Sequence, residues 1–242
     1  MFKFGSIENH YKFQPRFDLD YIVLDKIDGS NLSVYVDRIE TKLCSRNQVT
    51  DGNFFNCQEV MNNYIPEVEK LFENIHSYPL NGIMEDEHII SIQLYGELIG
   101  QGIQKRVYYC KKEWFVFDLL VNTNKKSFFV RYQHLLNILK ACNIKVKALP
   151  ILLEGDYATC LEYCKANLDR NSQIPVYLGN EERLDNIEEG FIIKSAFSAL
   201  YESRSITKLK HSKFSERTSK EPKTKEFTEE ELNYLSYFNT NR

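Results

Sequence analysis

The chain has 242 residues, enough to bury a large core as one domain or two small ones. Its 43% hydrophobic and 27% charged residues read as a soluble globular protein, and 31 basic against 34 acidic residues leave a net charge of −3. That balance excludes a uniformly basic nucleic-acid-coating protein, so any nucleic-acid partner needs a local basic patch.

No apolar run approaches the roughly 20 residues needed to cross a bilayer. The opening MFKFGSIENHY has no apolar h-region, so it does not read as a signal peptide. No membrane contact and a cytoplasmic location are expected, a host cytosol included. Six cysteines, at 44, 57, 110, 142, 160 and 164, show no CxxC spacing, and the five histidines are scattered. Small buried thiols in a reducing compartment are expected, and no zinc site.

In chain order, Tyr21–Val36 reads as a β-hairpin turning at Asp28-Gly29, and TKLCSRN as a third strand. Val60, Tyr64, Val68, Leu71, Phe72 and Ile75 recur at helical spacing and predict a helix over Gln58–Ile75. HIISIQLYGEL and EWFVFDLLV return to strand character. Helices are predicted at Val130–Cys142 and Tyr157–Leu168, the second capped by Asp156. EEGFIIKSA and SITKLKHSKF read as strands. TSKEPKTKE is a charged linker, and Thr228 with Glu231 makes a capping box for a last helix, Thr228–Phe238. Strands dominate and helices are inserted, so the class is α+β with largely antiparallel sheets.

One residue breaks the apolar pattern. By the period of two, Lys26 shares a strand face with Ile22 and Leu24 and follows them towards the interior. A lysine there can snorkel out to water. It can also serve as a nucleophile, since burial disfavours the ammonium and can lower its pKa by roughly 3–5 units. Four other stretches bear on the choice. YGELIG places Glu97 at the end of an apolar strand. WFVFDL puts Phe115 and Phe117 on one face with Asp118 opposite. EEGFIIK carries the paired carboxylates Glu188 and Glu189 before a strand ending in Lys194. TKLKHSKF alternates Lys208 and Lys210 on one face. Each alone is compatible with an ordinary core, turn or blunted edge strand.

Taken together and in this order, Lys-x-Asp-Gly, Phe-Asp, Glu-Gly and Lys-x-Lys resemble the covalent nucleotidyltransferases. Within them the match is to the RNA ligase 2 family, the phage-type double-stranded RNA ligases and their editing relatives. MFKFGSIENHY, LYGELIGQGIQKRVYY, FVFDL and KLKHSKFSER carry the resemblance, which runs nearly end to end. It implies two antiparallel sheets flanked by helices, with the nucleotide pocket between them, all within one adenylylation domain over 1–242 that ends in a linker and helix at about 218–242. Phage-type members continue into a helical C-terminal domain, whereas this sequence stops at Arg242.

The resemblance also implies a reaction and its residues. Lys26 would attack ATP and carry AMP. AMP would pass to an RNA 5′-phosphate, and a 3′-hydroxyl would then displace it, as at a nick in duplex RNA. Phe117 would stack on adenine and Glu97 would bind the ribose. Glu189, with Asp118, would serve a Mg²⁺ or Mn²⁺ ion. Lys208 and Lys210 would hold phosphates, as would Arg46, with Asp28, Asn31 and Lys194 also at the nucleotide. Asp28 follows the superfamily pattern, where some RNA ligase 2 members have histidine. Arg204, Lys213 and Arg217, in the basic stretch from Arg204 to Lys225, would meet RNA. A monomer is expected. The competing readings are a DNA ligase or mRNA-capping-type enzyme, for which no β-rich OB-fold segment follows KLKHSKF, and a non-catalytic RNA-end-binding module.

Overall fold

The computed structural model describes residues 2–80, 83 and 86–214. The chain divides into a unit of residues 1–211 and one of residues 212–242. Of the second, the described part is a single 3₁₀ turn, Ser212–Phe214. The charged linker and the Thr228–Phe238 helix lie outside the described residues.

Two mostly antiparallel sheets make up the first unit. The strands are β1 (Glu8–Asn9), β2 (Tyr21–Lys26), β3 (Ser30–Asp37), β4 (Thr41–Ser45), β5 (Val49–Thr50), β6 (Ile89–Ile99), β7 (Glu113–Thr123), β8 (Ser127–Phe129), β9 (Lys147–Ala148), β10 (Leu153–Gly155), β11 (Gly190–Ser195), β12 (Ala199–Leu200) and β13 (Ile206–Lys210). The smaller sheet has the order β1-β13-β11-β2-β10. The larger runs β12-β8-β7-β6-β3-β4-β5, with β9 added beside β7. Only β1 with β13 and β7 with β9 pair in parallel among the described strands. The helices are α1 (Gln58–Ile75), α2 (Tyr132–Ala141), α3 (Tyr157–Ala166) and the short α4 (Ile174–Tyr177). The α+β class expected from the sequence is the one found.

The expected hairpin is not found. β2 pairs with β10 and β11 in the smaller sheet, while β3 pairs with β4 and β6 in the larger. Ile27-Asp28-Gly29 therefore carries the chain from one sheet to the other. The reason is local and long-range at once. A tight Asn-Gly-type hairpin needs positive φ at its central residues, and neither Asp28 nor Gly29 has it. Both strands are also buried on both faces, with β2 reading buried at five of six positions. Such strands gain more from a neighbour on each side than from a two-stranded ribbon.

β2 separates two cores. Ile22 and Leu24 belong to the main core with Leu32, Leu94, Trp114 and Val116 of the larger sheet, Val68 and Leu71 of α1, and Leu135 and Ile138 of α2. Tyr21 and Val23 face the other way, packing with Phe191, Ile193 and Leu209 over Cys160 and Cys164 of α3. α1 has the predicted boundaries, and its buried residues Met61, Tyr64, Val68, Leu71, Phe72 and Ile75 form one stripe. Asp156 caps α3 by accepting the Thr159 N–H at 2.8 Å. All six cysteines are free thiols, four of them buried. Among the described residues no helix is long and apolar enough to cross a membrane.

Strand alternation does not persist along β7. Its register against β6 jumps between Tyr95↔Asp118 and Gly96↔Val116, leaving Phe117 as the extra residue of a bulge. The jump exchanges the faces. Trp114 and Val116 point into the main core before it, Leu119 and Val121 after it, while Leu120 joins Phe4, Tyr95 and Phe129 on the other side.

Candidate active site

Three residues from three strands make a row across the smaller sheet. Gly190 of β11 lies opposite Lys26 of β2 on one side and Lys210 of β13 on the other. Because side chains in register share a face, both ammonium groups project over Gly190. Glu189, one residue earlier, bridges them: Lys26 Nζ donates to its Oε2 at 2.6 Å, and Lys210 Nζ lies 2.9 Å from Oε1. Lys208, two residues back along β13, lies opposite Ile192 on the same side. Lys26 is thus neither isolated in apolar surroundings nor snorkelling free: its side chain is 19% exposed and paired with a carboxylate that is itself 6% exposed. It sits where the aliphatic line of Ile22 and Leu24 ends.

From the larger sheet, Asn31 and Glu97 lie opposite each other on β3 and β6. Glu97 is half-buried, and burial pushes its carboxyl up to about 7; Lys26 and Arg46 oppose the shift, and Glu189 and Asp28 reinforce it. Those influences bring Lys26, Glu97, Arg46, Glu189 and Asp28 into one electrostatic neighbourhood. Arg46 is exposed just beyond β4. Asp28 is buried and its carboxyl is raised to about 6, first by burial and then by Glu189. Asp28 Oδ2 and Asn31 Oδ1 are buried without a hydrogen-bond partner among the described residues. Buried acceptors of that kind are rare in finished folds and are common where a ligand completes them.

Phe117 is half-buried at the bulge, edge-to-face with Phe4 at 5.3 Å. Asp118, expected with Glu189 at a metal, is held by two cations. One of its oxygens accepts Lys194 Nζ at 2.7 Å and the other is held by Arg204. Lys194 also donates to the Phe117 carbonyl at 2.6 Å. Its ammonium lies 4.2 Å from the centre of the Tyr132 ring, and burial lowers its pKa to about 8. Arg204, expected at RNA, is packed over Phe4 and Phe129. These three residues form a buried ion cluster that pins the bulge. Breaking such a cluster at one member costs about 3–5 kcal/mol, so all three contribute to stability. Arg204 also borders a cavity of about 530 Å³ lined by Gly5, Ser6, Glu8, Phe129 and Ile206. Lys213 lies in the 3₁₀ turn of the second unit, and Arg217 is outside the described residues.

The sequence reading assigned no role to Tyr109, Ser172 or Glu188. Glu188 is 1% exposed and accepts from Ser172 Oγ at 2.5 Å, from Tyr109 Oη at 3.1 Å and from the Glu189 N–H at 3.0 Å. Burial, then the charge of Asp25, push its carboxyl up to about 8 against those hydrogen bonds. The signal available in the sequence was the doubled Glu188-Glu189, of which only one carboxylate can face the site. An unfolded glutamate ionises near 4.5, so between about pH 4.5 and 8 the folded chain holds a proton that the unfolded chain has lost. Stability therefore falls as pH rises through that window. Glu188→Gln removes the penalty. Its melting temperature is expected to exceed the wild type's by several degrees at about pH 8.5 and by clearly less at about pH 5.5. A difference independent of pH in thermal scans would show that the carboxyl is charged throughout.

Among the described residues no group of three or more His, Cys, Asp or Glu side chains is arranged to hold a metal ion. A single carboxylate can still serve one. Mg²⁺ keeps several waters and is commonly bound by one or two carboxylates together with substrate phosphates, and Glu189 is one such carboxylate, beside two lysines that could take the phosphates.

The sequence profile of the family described as RNA ligase matches residues 19–210. Solved structures of Naegleria gruberi RNA ligase are similar in fold. A variant with ATP and Mn is 18% identical with a TM-score of 0.61, over 88% of this chain and 57% of that one. A second variant with ATP and Mn is 20% identical with a TM-score of 0.58, over 84% and 55%. The protein with PPi is 20% identical with a TM-score of 0.55, over 86% and 56%. This chain thus spans little more than half the length of those structures.

Proposed function

The chain belongs to the RNA ligase family, and from that premise we propose that it is an ATP-dependent RNA ligase whose nucleophile is Lys26. The observation that supports this most directly is the row Lys26–Gly190–Lys210 with Glu189 bridging its two ammonium groups. Attack on the α-phosphorus of ATP requires an amine lone pair, a stabilised phosphate and a leaving pyrophosphate. Lys26 Nζ supplies the lone pair and becomes bonded to AMP as pyrophosphate leaves. Glu189 Oε2, at 2.6 Å, is the nearest acceptor for the proton that the amine must shed. Lys208, Lys210 and Arg46 bring positive charge to the phosphates. Glu97 and Asn31 meet the ribose, and Phe117 offers a ring face to adenine. A divalent cation held at Glu189 would add positive charge at the triphosphate. Asp118, Lys194 and Arg204 act from behind, fixing the bulge that presents Phe117.

The two later steps follow from the same chemistry. An RNA 5′-phosphate displaces Lys26 from AMP and gains a 5′–5′ adenylate. An RNA 3′-hydroxyl then attacks the phosphate of that end and AMP departs, leaving a phosphodiester. Duplex RNA with a nick is the substrate we favour, read by its A-form shape and 2′-hydroxyls, with the protein acting as a monomer in the cytoplasm on one adenylylation domain.

The test is to incubate the protein with ATP and Mg²⁺ or Mn²⁺ and look for the added mass of one AMP. No gain in mass with either ion would overturn the proposal. A finer check concerns the adenine. Base stacking on an aromatic ring is worth about 1–3 kcal/mol, so Phe117→Ala should raise the ATP concentration for half-maximal AMP attachment about tenfold or more. Phe117→Tyr keeps the ring and should shift it little. Equal titrations for the two variants would put the stacking ring elsewhere.

A further inference from the structure

We propose that Tyr109 and Glu188 are positioning residues for adenylyl transfer, locking the turn after Lys26 to the residues just ahead of β11 that include Glu189. The inference rests on the reading of Lys26 as the nucleophile. Its basis is a continuous chain of hydrogen bonds. The Asp28 backbone N–H donates to Tyr109 Oη at 2.7 Å, and Tyr109 Oη donates to Glu188 Oε1 at 3.1 Å. The same carboxylate oxygen accepts the Glu189 N–H at 3.0 Å. The direction of every link is determined. A backbone N–H can only donate, so Tyr109 accepts there and has one proton left, which goes to Glu188.

Each end of the chain adjoins a residue of the site. Asp28 lies two residues after Lys26, and Glu188 immediately precedes Glu189. Lys26, at the end of β2, and Glu189, just ahead of β11, reach each other from 163 positions apart in sequence. Gly190, next to Glu189, has no side chain with which to fix the carboxylate's position. Tyr109 is 2% exposed and Glu188 1%, so bulk water does not replace a lost bond between them.

The loop that carries Tyr109 is itself clamped. Asn186 Oδ1 accepts the Tyr108 N–H at 2.7 Å, and its Nδ2 donates to the Tyr108 carbonyl at 2.9 Å. Ser172 Oγ holds the second oxygen of Glu188. The relay is therefore anchored on its outer side by the segment preceding β11 and ends at the turn between the two sheets. Reaction geometry is sensitive at this scale, since a displacement of about 1 Å can slow a step about a hundredfold.

The experiment measures single-turnover AMP attachment to Lys26 and, separately, ATP affinity, on the full chain. The proteins are wild type, Tyr109→Phe, Glu188→Gln, Glu188→Ala and the double Tyr109→Phe/Glu188→Ala. Tyr109→Phe removes one oxygen and should slow attachment about tenfold or more at saturating ATP, with affinity within about twofold of wild type. Glu188→Gln should keep nearly the wild-type rate, because its amide oxygen accepts both bonds while its NH₂ donates to Ser172. Glu188→Ala should be as slow as Tyr109→Phe, and the double variant no slower than the slower single, as expected for one chain of contacts. A wild-type rate for Tyr109→Phe, a loss that lies wholly in ATP affinity, or additive losses in the double variant would each overturn the proposal. If Glu188→Ala does not fold, Tyr109→Phe and Glu188→Gln decide between them. A wild-type protein that takes up no AMP would instead sink the assignment of Lys26, which keeps the two failures apart.

Discussion

Lys26→Ala is expected to carry no AMP after incubation with ATP and Mg²⁺ or Mn²⁺, while keeping a melting temperature within a few degrees of the wild type. On the proposed mechanism the loss is complete, because the substitution removes the atom that would bond to AMP and no rate remains to be lowered. Stability survives for a reason visible in the site. Removing one partner of a buried ion pair can cost about 3–5 kcal/mol when the other charge is stranded. Glu189 is not stranded here, since Lys210 still lies 2.9 Å from its Oε1. The cost should therefore be nearer the roughly 1 kcal/mol of a single modest contact. Lys26→Arg should fail as completely, because a guanidinium remains protonated and offers no lone pair. Intact-mass spectra with isotopically labelled ATP decide the matter. Adenylate on either variant would move the nucleophile to another side chain.

Gly190→Ala is expected to be the most damaging single substitution that leaves every proposed functional side chain in place. Gly190 sits at φ +147°, a region that side-chain-bearing residues rarely enter. A Cβ there would lie 2.1 Å from the Leu209 carbonyl oxygen and 2.9 Å from the Lys210 Cα. Both are backbone atoms of the neighbouring strand, so no rotamer change relieves the clash. Strain of this kind costs about 1–3 kcal/mol, and forced overpacking a similar amount. The strands can part only by moving β13, and Lys208 and Lys210 would move with it. Thermal unfolding should show a fall of about 10 °C or more, and AMP attachment should drop at least about a hundredfold even well below the new midpoint. Near-normal attachment by a folded Gly190→Ala protein would mean that the row across the sheet does not need its present spacing.

Much of this architecture was legible in the residues because its signals are local. The stripe from Tyr64 to Ile75 marks α1 to the residue, and Asp156 announces α3 because capping is a contact over three positions. Lys26, Glu189 and Lys210 could be named by motif, and they do meet. What escaped was information that no local window holds. The run around Asp28-Gly29 looks the same whether its flanks pair with each other or join separate sheets, and only the backbone angles and distant partners distinguish the two. The change of face along β7 comes from one bulged residue, Phe117, which leaves strict alternation as the natural and mistaken assumption. That Asp118 is held by Lys194 and Arg204, 76 and 86 positions away, could not be read from its own stretch of sequence. Tyr109 belongs to a loop without periodicity, and its hydroxyl acquires meaning only through Asp28 and Glu188.

The crossing of the chain at Ile27-Asp28-Gly29 bears on how the protein is made. Ribosomal synthesis releases β2 early, yet its neighbour β11 begins at residue 190, and β13, which pairs with β11, follows at residues 206–210. Until residue 190 and beyond is made, β2 has no β11 to pair with, and its apolar residues Ile22 and Leu24 wait beside a larger sheet that can assemble first from β3 to β7. Pairings of such long sequence separation close slowly, and unpaired strand edges invite wrong partners meanwhile. Lys26, the proposed nucleophile, therefore emerges 163 residues before Glu189 and waits longer still for Lys210. A ribosome stalled before β11 would display a lysine of no particular reactivity, so adenylylation should appear abruptly with chain length, as a sign that the last strands have docked.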